Sequence, residues 1–271
     1  MPEKKEQKIV VLTENSDSDK ILVLHGVKLA TAFKKELCLL HLAGKNEKKI
    51  KKTITENLTK YNKVVRDEVP SLNVSYLILK GNARDLIDTL ADKYEAILII
   101  SRKTMYNKLS GALRQSPLAF LFLNHEITQI PGYKKIILPV DLRRETKDAA
   151  LWASYFARFN NSAVNVLVAN DKDKANIRSI TKNIKAIKIL FLKLRIPMKL
   201  YKGKNNSLKI QFEALDIAGS SDAELLIILA SSYISIFDLM IGLPEKKIIN
   251  KSGSLPVLVI NPRKDMYIMC D

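Results

Sequence analysis

Residues 135–171 read KIILPVDLRRETKDAALWASYFARFNNSAVNVLVAND, and their pattern indicates the architecture of the whole chain. A short apolar run ends at Asp141, which is typical of a buried strand. A second apolar run follows at 163–169. Between the two runs, apolar side chains recur every three or four residues, as on one helix face: Ala149, Trp152, Phe156 and Phe159. A strand, a helix and a strand in this order predict a parallel β-α-β unit.

The start of the chain repeats this stretch, because residues 8–44 read KIVVLTENSDSDKILVLHGVKLATAFKKELCLLHLAG. Lys8 lies 127 positions before Lys135, and Glu14 lies 127 positions before Asp141. Further on, LILKGN resembles the later KLYKGK, and EAILIIS resembles AELLIIL. Short similarities in one order with nearly constant spacing indicate a duplicated domain.

Each half alternates strand-like and helix-like segments. In the second half, a long helix carries an apolar stripe, a third helix follows and ends at Gly219, and two apolar strands close the half at 225–229 and 256–260. The residues that mark these two helices are Ile177, Ile180, Ile184, Ile187, Phe191 and Leu194, then Leu208, Phe212 and Leu215. The first half follows the same order, although 101–129 shows no clear pattern.

The predicted fold class is therefore α/β, with two tandem doubly wound, mostly parallel five-stranded sheets flanked by helices. Pro131 and Gly132 punctuate the chain between the halves, so we expect domains at 1–131 and 132–271. The apolar closing strand LPVLVI would leave an exposed sheet edge. We therefore expect the halves to pack as an internal pseudo-dimer.

The composition favours a soluble cytoplasmic protein. The N-terminus MPEKKEQK is too polar for a signal peptide, and no apolar run approaches the about 18 residues that span a bilayer. Two cysteines, Cys38 and Cys270, cannot form a disulfide framework, and Cys38 is expected in the core. The net charge of +17 attracts anionic partners, unless the lysines only solvate helix faces.

The order of these motifs resembles a tandem pair of universal stress protein domains. The features that carry the resemblance are KKIILPVD with its amphipathic helix, YKGK after the third strand, LLIIL, and the closing IGLPEKKIINKSGSLPVLVINP. The resemblance covers nearly the whole chain and implies an adenine nucleotide alpha hydrolase-like fold. Some members of the family bind a nucleotide and others bind none.

The resemblance also implies where a nucleotide would bind. Binding members carry an acidic residue after the first strand, a Gly-x-x-Gly pair, and then a Gly followed by Ser or Thr. Glycine lets backbone N–H groups approach phosphate oxygens, and the next helix points its positive end at them. The matching positions here are Asp141 with the adjoining Val140, Gly203, Gly242 with Leu243, and Glu14 in the first half.

Both halves depart from this pattern. Leu243 stands where Ser or Thr belongs, and Ser232 and Leu229 stand where the two earlier glycines belong. In the first half Gly111 is the only glycine in the corresponding loop, with Ser101 and Thr104 near the other glycine positions. We therefore expect no cofactor, with ATP or AMP at the second domain as the alternative. Asp141 could equally be structural, capping a turn or a helix start.

Other candidate chemistry is weaker. The three histidines, His25, His41 and His125, are dispersed without a ligand cluster, so no metal site is expected. GKNNS, residues 203–207, lacks the full phosphate-loop pattern and is better explained as a turn in which Asn206 or Ser207 caps the third helix. No acid–base pair or activated nucleophile is visible.

Basic side chains line the long second helix of each half. In the second half they are Arg178, Lys182, Lys185 and Lys188, and in the first half they are Lys45, Lys48, Lys49, Lys51 and Lys52. Such a face can hold phosphates, but no aromatic residues alternate with these charges, so a solvated helix face is favoured and a nucleic-acid partner is not expected.

Three hypotheses follow. The first is a non-enzymatic tandem universal stress protein with degenerate nucleotide sites, acting through a protein partner or as a homo-oligomer. The second is a sensor of ATP or AMP that uses the second domain. The third is binding of an anion or a nucleic acid through the basic helices.

Overall fold

The computed structural model describes residues 6–16, 19–43, 51–114, 116–124, 129–231 and 243–261. The chain divides into two compact units, Met1–Ile130 (unit 1) and Pro131–Asp271 (unit 2). The boundary predicted from the sequence differs from this division by one residue. The pseudo-dimeric packing of the two halves stays a prediction.

Unit 1 alternates strands and helices along the chain. In order, these are β1 (Lys8–Thr13), α1 (Asp19–Phe33), β2 (Glu36–Ala43), α2 (Lys51–Glu68), β3 (Val74–Lys80), α3 (Ala83–Tyr94), β4 (Ala96–Arg102), a short 3-10 turn (Lys103–Met105), α4 (Tyr106–Leu113) and β5 (Ala119–Leu123). The segment without a clear sequence pattern thus contains a helix and the fifth strand. All five residues of β5 are buried, so periodicity could not distinguish it.

Unit 2 has the same order. Its elements are β6 (Lys135–Val140), α5 (Thr146–Asn160), β7 (Ala163–Val168), α6 (Lys174–Lys193), β8 (Met198–Lys202), α7 (Ile210–Gly219), β9 (Leu225–Leu229), α8 (Pro244–Lys251) and β10 (Val257–Ile260). Local chemistry sets several ends. Asp173 caps α6 by accepting the backbone N–H groups of Ala175 and Asn176 at 2.9 and 3.0 Å. Pro244 occupies the first turn of α8, where its missing N–H has no intrahelical partner to lose.

Each unit forms a parallel, doubly wound arrangement of five strands. The strand order is β3-β2-β1-β4-β5 in unit 1 and β10-β9-β6-β7-β8 in unit 2. The described pairings within the units are all parallel, for example Val10 with Cys38 and Leu138 with Val166. The predicted fold class is confirmed for each unit.

The core lies in the central strands, which helices cover on both faces. Every residue of β4, β5, β9 and β10 is buried. Cys38 is also buried, in β2, as predicted. The outermost described strand of unit 2, β8, is different, because its last four residues are exposed. Within the described chain, no helix combines the length and the apolar character needed to cross a membrane.

Two local predictions were wrong. Leu208 does not belong to the third helix of unit 2, which begins at Ile210, and it is 83% exposed. Neither Asn206 nor Ser207 caps that helix with its side chain, because the residue before the helix is Lys209. Instead the backbone carbonyl of Asn206 accepts from the N–H groups of Lys209 and Ile210. The backbone turn itself therefore starts the helix.

Candidate functional site

The place where a doubly wound sheet binds ligands is the crevice at the carboxyl ends of its strands, where the strand order reverses. In unit 2 this switch point lies between β6 and β9, and in unit 1 it lies between β1 and β4. Two of the predicted site residues, Asp141 and Glu14, directly follow β6 and β1. Both residues therefore lie at the switch point of their unit, and whether a ligand binds there stays a prediction.

In unit 2, Asp141 is buried and its carboxylate is fully engaged by the chain. Its Oδ1 accepts the backbone N–H of Arg143 at 2.8 Å and the hydroxyl of Thr146 at 3.1 Å. Its Oδ2 accepts from Nε of Arg143 at 2.8 Å and from a second guanidinium nitrogen. Asp141 thus closes a turn before α5, which is the structural role that the sequence left open.

Arg143 crosses the switch point. Besides its two bonds to Asp141, its Nη1 donates to the carbonyl oxygen of Ala230, the residue after β9, at 3.3 Å. The guanidinium therefore links the ends of the two strands between which a ligand would enter. Two guanidinium nitrogens donate to the same oxygen of Asp141 and a third donates to Ala230, and these charge-assisted bonds hold the side chain in place there.

Helix α6 holds the same loop from behind. The side-chain amide of Asn183, which is buried, donates to the backbone carbonyls of Asp141 and Arg143 at 2.9 and 2.8 Å. In unit 1, Asn57 on α2 makes an analogous bond of 2.7 Å to the side chain of Asn15. Each unit thus fastens the loop after its first strand with an asparagine from its second helix.

An arginine also spans the switch point of unit 1, but it comes from the other side. Arg102 ends β4 and is buried. One of its terminal nitrogens donates to Oδ1 of Asp19 at 3.1 Å. Its Nε lies 3.2 Å from Oε2 of Glu14, which is an ion pair without an aligned hydrogen bond. Glu14, the predicted acidic site residue, therefore already faces a cation of the chain.

Asp19 organises the loop around this arginine. It is completely buried at the start of α1, and its Oδ2 accepts the backbone N–H groups of Glu14 and Ser16, each at 3.0 Å. Asp19 lies 127 positions before Thr146, and both contact the loop after the first strand of their unit. Sequence analysis missed Asp19, Arg102 and Arg143. The available signal for both arginines was a basic residue close to the carboxyl end of a buried strand, since Arg102 is the last residue of β4 and Arg143 lies three positions after Val140.

Gly203 is required for packing and its N–H is not free. The group donates to the carbonyl of Val168 at 2.7 Å. A Cβ at this position would lie 2.5 Å from Cδ1 of Ile210 and 2.9 Å from the oxygen of Val168. The glycine therefore lets the turn after β8 lie against β7 and α7.

The turn after Gly203 already surrounds an anion, which is a carboxylate of the chain. Glu213 on α7 accepts the backbone N–H groups of Lys204 and Asn205 at 2.8 Å each and the side-chain amide of Asn205 at 2.9 Å. Desolvation opposes ionisation, but these donors outweigh it and lower the pKa of Glu213. Backbone donors that could cradle a phosphate thus hold a side chain instead.

The N-terminus of α8 is likewise matched by a carboxylate. Leu243 precedes the helix in an extended conformation and offers no side-chain cap. Glu245, in the first turn, is buried and accepts the hydroxyl of Ser231 at 2.7 Å. A carboxylate at this end interacts favourably with the positive end of the helix dipole. The same negative charge would repel a phosphate placed beside it. Gly242 and the bulky loop residues Tyr233, Ile234, Ile236 and Phe237 lie outside the described residues.

The remaining candidates do not converge. Val140 ends β6, and its carbonyl accepts the N–H of Ala169 at 2.9 Å. His25 is buried in α1, where desolvation and the nearby Lys28 lower its pKa to about 4. Nδ1 of His41 lies 3.2 Å from the carbonyl oxygen of Thr13, and His125 lies outside the described residues. Among the described residues, no group of three or more His, Cys, Asp and Glu side chains could hold a metal ion.

Comparison with known proteins places this geometry in a recognised fold. No protein-family model matches the chain, and no curated protein matches it. A universal stress protein structure from Archaeoglobus fulgidus matches with a TM-score of 0.68 at 13% identity, over 95% of this chain and 97% of that chain. A candidate universal stress protein from Pseudomonas aeruginosa UCBPP-PA14 gives a TM-score of 0.65 at 14% identity, over 94% and 93%.

A functionally unknown protein from Pseudomonas aeruginosa PAO1 matches with a TM-score of 0.63 at 15% identity, over 95% of this chain and 93% of that chain. At these identities the likeness concerns the fold. The resemblance inferred from the sequence is confirmed at that level: this chain has the universal stress protein fold along nearly its whole length.

Proposed function

We propose that this protein is a non-enzymatic stress-response protein of the universal stress type, in which the chain's own side chains have closed the nucleotide sites and which acts by binding a protein partner. The observation that carries the proposal is the arginine at each switch point. Arg143 joins Asp141 to the end of β9, and Arg102 joins the end of β4 to Asp19 and Glu14.

The charges around unit 2 support the same conclusion. Glu213 occupies the donors of the turn after β8, and Glu245 lies at the first turn of α8. A bound phosphate would have to displace or approach these carboxylates, and each displaced carboxylate would leave its donors unpartnered. A nucleoside at Asp141 would have to replace the two charge-assisted hydrogen bonds from Arg143, and the free energy of nucleoside binding would have to offset their loss.

Calorimetry of the full chain with ATP, AMP and adenosine tests the nucleotide part of the proposal. We expect no heat of binding and no thermal shift. Binding would be easy to detect, because a ligand at 100 times its Kd would stabilise the chain by about 2.7 kcal/mol. Saturable binding of any of the three would overturn the proposal and favour the sensor hypothesis for the second domain.

One matched variant tests why we expect no nucleotide to bind. The position equivalent to Arg143 in unit 1 is Ser16, 127 residues earlier. Arg143→Ser therefore introduces the residue that occurs naturally at the equivalent position of unit 1. We expect the variant to bind adenosine more strongly than the wild type, since Asp141 is then accessible. If neither the variant nor the wild type binds adenosine detectably, Arg143 is not what excludes the nucleoside.

The protein-partner part needs its own experiment. We expect cross-linking of the chain in stressed cells to give a discrete adduct that persists when cellular ATP is depleted. A partner captured only in the presence of ATP would contradict a nucleotide-independent function.

A further inference from the structure

Unit 2 contains an open groove between α6 and β8 that the switch-point chemistry does not use. Its volume is about 530 Å³, within the range of small-molecule sites. Its walls are mainly aliphatic, and they leave Ile177 44% and Leu200 38% exposed. Four further wall residues are Val168, Ile180, Ile184 and Tyr201. Apolar side chains that face each other across an open groove would be stabilised by an apolar occupant.

Unit 1 ties its second helix to the start of its edge strand with polar side chains. There, Asn62 and Arg66 on α2 reach the edge strand and donate to the carbonyl of Val74 at 3.3 and 3.4 Å. Counted from the loop-holding asparagine of each unit, the corresponding residues on α6 are Lys188 and Leu192. Neither makes such a bond to β8. The helix and the edge strand of unit 2 therefore lack the polar ties that unit 1 has.

The groove is basic. Lys188 and Lys202 line it, and neither has an ion-pair partner among the described residues. Because α6 runs back from the end of β7 to the start of β8, these two lysines lie toward opposite ends of the groove. The acidic residue in the lining, Asp171, is occupied by the N–H and hydroxyl of Ser207 at 2.8 and 2.7 Å. The charge complementarity therefore favours an anionic head group.

The body of the ligand should be apolar. Ile177, Ile180 and Ile184 form the helix side of the groove, so a nucleobase placed against them would lose hydrogen bonds. From Ile177 to Lys188 the helix extends about 16 Å, enough for an alkyl chain. An added strand from another protein is less favoured, because β8 is short and exposes Lys199 and Lys202.

We propose that this groove binds a long-chain alkyl carboxylate, with the chain against Ile177, Ile184 and Leu200 and the carboxylate paired with Lys188. The site is separate from the switch point, and the inference does not depend on the proposed function.

Calorimetry of the full-length chain with sodium dodecanoate, below its micelle-forming concentration, tests the proposal. We expect one molecule per chain, at least fivefold weaker binding of decanol than of decanoate, and no binding of acetate. Each added methylene group should strengthen binding by up to roughly fourfold. Absence of dodecanoate binding, or uptake of several molecules per chain, would overturn the proposal.

Three variants locate the ligand. Thr181 lines the groove and is exposed, so Thr181→Trp should fill the groove and abolish binding without disturbing the core. Lys188→Met should weaken dodecanoate at least fivefold and leave decanol unchanged. Lys182→Met is the matched control, because Lys182 is exposed on the same helix but does not line the groove.

If Thr181→Trp fails to fold, the comparison of the two lysine variants still decides the question. Equal affinities of Lys188→Met and Lys182→Met for dodecanoate would rule out the groove as the binding site. Competition of AMP with dodecanoate would also contradict an alkyl-specific site.

Discussion

An arginine spans the switch point of each unit, yet the two arginines reach it from opposite sides. Arg102 ends the fourth strand of unit 1, whereas Arg143 follows the first strand of unit 2. Each neutralises an acidic residue that directly follows a first strand, Glu14 or Asp141. A buried carboxylate is stabilised by a neighbouring cation, and in the two units this cation comes from different strand ends.

The ion pair of unit 2 should contribute measurably to stability. Arg143→Met leaves the buried carboxylate of Asp141 without its cation, and Arg143 is 27% exposed. We expect a loss of about 2 kcal/mol in the free energy of unfolding, less than the about 3–5 kcal/mol of fully buried pairs. Urea denaturation measures it. Arg144→Met, an exposed neighbour, should change stability by less than about 0.5 kcal/mol, and equal losses in both variants would contradict the ion pair's role.

Gly203 should be intolerant of a side chain. The Cβ of Gly203→Ala would lie 2.9 Å from the backbone oxygen of Val168, which cannot move easily. We expect a destabilisation of about 1–3 kcal/mol in urea denaturation. Gly111→Ala is the control, since Gly111 lies within α4 with nothing near its Cβ. The Gly111→Ala variant should be more stable than the wild type by about 0.5–1 kcal/mol. If Gly203→Ala leaves the free energy of unfolding unchanged, the turn can shift to accept a side chain.

Asp148 should make the protein less stable at neutral pH. Burial, with a contribution from Glu145 and opposed by Lys147, raises the pKa of Asp148 to about 6 from 3.8. The folded chain therefore binds more protons than the unfolded chain between these values, so this contribution to stability falls as pH rises from about 4 to about 6. Asp148→Asn should remove that slope and exceed the wild type in stability at pH 7. Urea denaturation from pH 4 to 7.5 checks this, and a wild-type advantage at pH 7 would contradict it.

At the scale of elements, the second helix of each unit fixes the loop at the switch point. Asn183 satisfies two backbone carbonyls, whereas the analogous Asn57 bonds one side chain. Asn183→Ala would leave both carbonyls without these donors in a buried place, and we expect a cost of about 2 kcal/mol. Asn57→Ala should cost about 1 kcal/mol or less, because Asn57 is only half-buried. Urea denaturation of both variants measures the two losses of stability. A larger loss for Asn57→Ala than for Asn183→Ala would contradict this prediction.

The elements that the sequence predicted well carry either a clear helical period or a short apolar run that ends at a polar residue. The boundaries of β6 are as predicted, and the α6 stripe correctly marked Ile180, Ile187 and Phe191 as buried. The same stripe failed at Ile177, because nothing from β8 covers that part of the helix. Leu208 failed for a different reason, since an apolar side chain in an exposed turn looks like the start of a helix face. Periodicity identifies the apolar side chains that share one helix face. Whether they are buried depends on the element that packs against that face.

At the scale of the whole molecule, the duplication was readable because Lys8, Glu14, Lys135 and Asp141 keep one spacing. The proposed closure of the sites was only partly predictable from the sequence. Missing glycines could be counted along the chain, but the side chains that fill the space depend on which strand ends meet. Arg102 and Asp19 are 83 residues apart, and only the strand order of unit 1 brings them together. The sequence therefore predicted an impaired site without predicting what occupies it.

The net charge of +17 should act as a diffuse property of the molecule rather than as a nucleic-acid site. Arg178, Lys182 and Lys185 are exposed on α6, and Lys34, Lys52 and Lys60 are exposed in unit 1. We expect weak binding of duplex DNA that is independent of its sequence and lost as salt rises. Changing the three α6 residues to glutamine should weaken DNA binding slightly, and changing the three unit 1 lysines should weaken it to the same extent. Titrations monitored by fluorescence anisotropy measure both affinities.

A dedicated α6 surface would behave differently. Three lost phosphate contacts would reduce the slope of log affinity against log salt by about 2–3 for the α6 set, and the unit 1 set would change it little. That asymmetry would revive the nucleic-acid hypothesis. Equal slopes would mean that these lysines keep the helix faces solvated, as the lack of interleaved aromatic side chains on α6 predicts.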